Sequence, residues 1–141
     1  MAVRVKIKIK VGNEEIETTA LANSGYEAFK KPEIILPETL ANKLGIKEDK
    51  FNFKRVHFQD IKGAFNSPVY QNAAIIWLNI NPDRKVTVDV VVTDREEEVL
   101  LSDKLISALG IDIVDAGEGI WKLREDPPHI FRKSERRQVW S

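Results

Sequence analysis

A mainly β domain with one or two short helices is the fold class this sequence predicts, and three observations predict it. Val3, Val5, Ile7 and Ile9 alternate with Arg4, Lys6, Lys8 and Lys10, the period-two pattern of a strand buried on one face. β-Branched residues crowd Val86 to Val92 and recur from Pro68 to Ile80, where pleated backbone accommodates them. Helical spacing is confined to two short stretches, and these share one skeleton: L-x-x-x-L-x-x-x-L-G-I at Leu36 to Ile46 and again at Leu101 to Ile111.

Each element follows in order. Gly12-Asn13 is a hairpin turn signal, and Glu14 to Ala22 returns as a strand whose Glu14, Glu15 and Glu17 face the lysines across the ladder. Ile34-Ile35-Leu36 leads into the first helix, with Pro37 suited to a first helical position and Gly45 to the stop. Phe51, Phe53, Val56 and Phe58 predict more strand, and Gln59 to Ser67 is a polar stretch containing Gly63. The strand from Pro68 ends at the turn Asn81-Pro82-Asp83. Glu96-Glu97-Glu98 reads as a solvated bend. The second helix lies within Leu101 to Gly110, and Asp115 to Gly119 reads as a hairpin turn. Two helices in the same skeleton, each after apolar strand, indicate an internally duplicated unit.

Composition narrows the function classes. A chain of 141 residues holds one domain with a real core. Lys+Arg and Asp+Glu balance at 22 each, so no global field attracts nucleic acid or a membrane surface. Without cysteine there is no disulfide framework and no thiol nucleophile or ligand. No apolar run approaches a bilayer span, and the N-terminus is a charged alternating strand, so the expected compartment is the cytoplasm. His57 and His129 lack any zinc-type spacing; neither metal nor cofactor is expected.

The candidate chemistry sits where the second strand ends. Ala20-Leu21-Ala22 runs into Asn23-Ser24-Gly25, and a short apolar strand entering Asp-Ser-Gly or Asp-Thr-Gly is the aspartic protease signature. With the first helix following, residues 1 to about 124 resemble the retropepsin-like family, the single-domain aspartic proteases of retroviruses and their cellular and archaeal relatives. The resemblance implies a closed β-barrel-like acid protease fold over residues 1–125, a C-terminal extension over 126–141, and a homodimer. It also implies a carboxylate dyad with one acid from each chain. Asn23 holds the position of the acid, Ser24 hydrogen-bonds across the dyad, and Gly25 permits the tight turn. Glu27 and the hairpin bearing Ile61, Lys62, Gly63 and Ala64 are implied to contact peptide, the hairpin as a mobile flap. Leu100-Leu101-Ser102 departs from the family's apolar-apolar-Gly, and Asp103-Lys104 replaces its Arg or Asn; Glu27 with Lys104 is a substitute for the family's buried ion pair.

A proteolytic dyad needs two carboxylates that share one proton, so that one can be general base and the other general acid. An amide at Asn23 cannot serve as the base. The resemblance therefore implies an endopeptidase in an inactive Asp-to-Asn form, acting on peptide or protein substrate without a membrane or nucleic acid partner. A second reading is a natural pseudoprotease that holds extended peptides or mediates dimerisation. A third, a small β-barrel binding nucleic acid through Arg132, Lys133, Arg136 and Arg137, is opposed by the balanced charge. Taken alone, Asn-Ser-Gly is an ordinary loop, and the tail from Asp126 reads as a solvated extension, a dimer-clasping arm or a segment the protease trims, with Ile130-Phe131 its most apolar pair. Trp77 and Trp121 read as core or interface.

Overall fold

The computed structural model describes residues 2–28, 30–48, 50–60 and 63–141, with the backbone alone for 56–60 and 63–66. Strands β1 (Arg4–Val11) and β2 (Glu14–Leu21) form the first hairpin, turning at Gly12 with φ +58°. Lys8 lies opposite Glu17 and Lys10 opposite Glu15, and Lys8 pairs diagonally with Glu15 at 3.5 Å. Then come β3 (Glu33–Pro37), α1 (Glu38–Lys43), β4 (Phe53–Asp60), β5 (Gly63–Leu78), β6 (Val86–Thr93), β7 (Val99–Leu101) and α2 (Asp103–Ala108). Strands β8 (Ile111–Asp115), β9 (Ile120–Leu123) and β10 (Arg132–Lys133) make a second, three-stranded sheet.

The large sheet runs β1-β2-β7-β3-β6-β5-β4, and β1 also pairs with β5. Six strands thereby close into a barrel, with β4 bonded outside the ring to β5. Closure removes the open edges that a flat sheet of this size would leave. Pro37 ends β3 and caps α1 rather than opening it as the first helical residue.

Pairing registers expose a pseudo-twofold axis. β3 and β7 are antiparallel with Ile35 opposite Leu100. Outside them β2 runs parallel to β7, Leu21 opposite Leu100, and β6 runs parallel to β3, Val91 opposite Ile35. Half a turn about the Ile35–Leu100 pair exchanges β3 with β7, β2 with β6, β1 with β5 and α1 with α2. Under it Leu36, Leu40 and Leu44 fall on Leu101, Leu105 and Leu109, and all six are at most 1% exposed. Gly45 and Gly110 follow with φ +77° and +75°, the left-handed backbone that ends each helix without a Cβ penalty. The repeated skeleton thus feeds both helices into the core, since leucines one turn apart put their apolar stripes on it.

Two expectations are corrected. Glu98 is not part of a solvated bend: it is 8% exposed and accepts from Arg4 at 2.7 and 3.2 Å and from Arg137 at 3.0 Å. The tail is not a solvated extension either. Arg4 gives its backbone N–H to Ser134 Oγ and its carbonyl accepts from the Glu135 N–H, at 2.7 and 2.8 Å. Gln138 accepts the Thr19 N–H at 3.0 Å, and the Trp140 indole donates to Thr18 Oγ1 at 2.9 Å. Trp77 and Trp121 are both buried, Trp121 within the core cluster. No helix among the described residues is long and apolar enough to cross a membrane.

Candidate active site

Asn23, Ser24 and Gly25 leave the end of β2 as a loop held at both sides. Ala22 donates its N–H to the Val3 carbonyl, and the Val3 N–H donates to Asn23 Oδ1, both at 2.9 Å. The Asn23 side chain is therefore locked by its oxygen onto the start of the first strand. Ser24 and Gly25 are exposed; Ser24 Oγ accepts the Tyr26 N–H at 3.3 Å, and Gly25 has φ +82°, a conformation only glycine adopts freely.

The far side of the loop is tied to the second half of the molecule. The Asp103 N–H donates to the Tyr26 carbonyl and Asp103 Oδ1 accepts the Ala28 N–H, each at 2.9 Å. Acceptance from the Ala28 N–H, then from its own helix start, holds the Asp103 carboxyl below its ordinary value despite some desolvation. No ion pair joins Glu27 to Lys104 among the described residues; Glu27 is exposed, and Asp103 makes the tie instead. Ser102, fully buried, shows why the departure from glycine is tolerated. Its hydroxyl accepts from Glu33 at 3.0 Å and from Leu105 at 3.2 Å, capping α2 and stitching it to β3.

Beneath the loop lies a polar group that the sequence did not flag. The Tyr26 hydroxyl is buried without a hydrogen-bond partner among the described residues. Burial, then the charge of Glu33, pushes its pKa up. Burial also raises Glu33, and Asp89 adds to the rise. Asp89 itself is satisfied, accepting the Asn72 N–H at 2.8 Å and pairing with Lys31 at 3.1 Å.

The polar stretch after Phe58 folds as the β4–β5 hairpin, paired from Phe53–Tyr70 to Asp60–Gly63. Gly63 and Ala64 begin its second arm; Ile61 and Lys62 lie outside the described residues. Among the described residues no hydrogen bond or ion pair joins this hairpin to residues 23–28. No group of three metal-ligating side chains occurs among the described residues. No protein-family model matches this chain, and no curated protein matches its sequence.

Proposed function

We propose that this chain has the retropepsin type of aspartic endopeptidase architecture in a disarmed form, with Asn23 where an acting enzyme carries its aspartate. One observation carries the reading: Asn23-Ser24-Gly25 emerges at a strand end of a closed six-stranded barrel built from two related strand–helix halves. The loop is pinned at Val3 and at Asp103 and exposed between, as a residue that must meet a substrate requires.

A single chain supplies one such loop, so the working site is a homodimer with two copies facing across a twofold. An aspartate at position 23 would keep one oxygen on the Val3 N–H and present the other to its twin. Two such carboxylates share a proton; the ionised one activates water and the protonated one polarises the peptide carbonyl. The substrate class is extended peptide, with the β4–β5 hairpin as the closing flap.

Asn23→Asp is the test. The variant should cleave unfolded protein or a peptide library with a bell-shaped pH profile weighted to the acidic side, while the chain as it stands shows no turnover. A folded dimeric variant without activity from acidic to neutral pH would transfer the reading to a non-catalytic holder of extended peptides.

A further inference from the structure

We propose that residues 134–140 are a detachable peptide ligand of the barrel, seated in a docking slot that the same segment of a second copy can fill in its place. The slot lies where β2 parts from the chain entering β7, since only Ala20 with Val99 and Leu21 with Leu100 pair there. In the other half of the molecule the equivalent gap is closed directly, by the Asp89 N–H on the Pro32 carbonyl. In this half the equivalent groups bond to the inserted segment. The Thr19 N–H donates to Gln138 Oε1 at 3.0 Å, and the Glu97 carbonyl accepts the Trp140 N–H at 2.8 Å. A linear peptide thus stands where a strand contact would be.

Each anchor of the segment has a receptor. Ser134 and Glu135 take both backbone groups of Arg4, at 2.7 and 2.8 Å. Arg137 donates to Glu98 at 3.0 Å, and Arg4 holds that carboxylate in place at 2.7 Å. The Trp140 indole donates to Thr18 Oγ1 at 2.9 Å and its ring rests against the core cluster. Lys43 Nζ lies over that ring, 5.2 Å from its centroid. Ser134, Gln138 and Trp140 are half-buried and the residues between them exposed, as in a peptide held on a surface by a few side chains. The receptor is built without the segment: six strands close the ring, and no strand among the described residues includes 134–140. Opening therefore exchanges these bonds for water at Thr18, Thr19 and Glu98 while the ladders stay, a step short of global unfolding. The two-residue β10 keeps the released segment tethered, at an effective concentration on the order of millimolar. No residue of the 23–28 loop takes part, so the proposal is independent of the protease reading.

The test uses the ¹⁵N-labelled full chain with Trp140→Ala, which loosens the resident segment and leaves the receptor unaltered. Titration with a capped peptide of residues 134–141 should give saturable amide shifts at Thr18, Thr19, Glu98 and Lys43. The same peptide carrying Trp140→Ala should bind about tenfold more weakly or worse. The unaltered chain should bind the original peptide at least about fivefold more weakly than the variant does, because its own segment competes. Native-state hydrogen exchange of the unaltered chain decides the matter if the variant does not fold. The amides of Thr19, Glu135 and Trp140 should open together, about a hundredfold more often than those of Ile7 and Ile9. Absent or scattered shifts in a folded variant, or equal binding of the alanine peptide or by the unaltered chain, would overturn the proposal. So would exchange of those three amides only as slowly as Ile7 and Ile9, which would make the segment an inseparable part of the barrel.

Discussion

The two halves of the barrel share a backbone plan and differ in how each is finished. In the second half, β6 lies along β3 for five residues, and at the start of that ladder the Asp89 N–H donates to the Pro32 carbonyl at 3.2 Å. In the first half, β2 has only two residues of pairing with the shorter β7. Thr19 is the equivalent of Asp89, but its N–H goes to Gln138 of the tail. Glu97, the equivalent of Pro32, offers its carbonyl to the Trp140 N–H instead. The tail thus completes what β7 is too short to supply, and Glu98 is the knot that holds tail, β1 and β7 together. The duplicated strands and helices thus carry the core, whereas the loops and the tail carry what distinguishes one end of the barrel from the other.

If the halves are equivalent in the core, Leu40→Ala and Leu105→Ala should each cost about 3–4 kcal/mol. Urea unfolding of both variants reads this, and a cost at one site less than half that at the other would break the equivalence. The asymmetric device comes next. Glu98→Gln leaves Arg4 and Arg137 without their shared partner and should cost about 2–3 kcal/mol, with the Trp140 fluorescence change shifting to lower urea.

Acid should act through the same knot. Burial alone would raise Glu98, but the hydrogen bonds and charge of Arg4 and Arg137 outweigh it and hold its pKa below the ordinary 4.5. A depressed acid contributes stability fully above its unfolded value, and that contribution is lost as pH falls through the folded one. Asp126, held down chiefly by Arg132, adds in the same direction. The unaltered chain should therefore lose stability on acidification below about pH 4.5, and Glu98→Gln should flatten that loss. An unchanged pH slope in the variant would remove Glu98 from its role. Smallest is the helix cap: Ser102→Ala should cost about 1–2 kcal/mol, because α2 loses its cap and Glu33 an acceptor. The equivalent position in α1, Pro37, makes no side-chain cap, so Pro37→Ala should cost less.

What was legible in the sequence was what short-range periodicity encodes. Alternation marked β1, and the repeated leucines with Gly45 and Gly110 marked both helices and their stops. The loop of Asn23 could be placed because a strand pattern ends there. The fate of Glu98 could not be read: an acid run looks solvated, and its burial depends on Arg4 and Arg137, which are 94 and 39 residues away. The tail was opaque for the same reason, since Gln138 acts on Thr19 across 119 residues.

The proposed active site needs position 23 from two chains at once. Asn23→Asp chains refolded together with the unaltered chain in varied proportion test it directly, by peptidase rate at constant total protein. A dyad with one carboxylate from each chain predicts a rate following the square of the fraction of variant chains, about a quarter of maximum at equal proportions. A rate linear in that fraction, or none at any proportion in a folded dimer, would contradict the account.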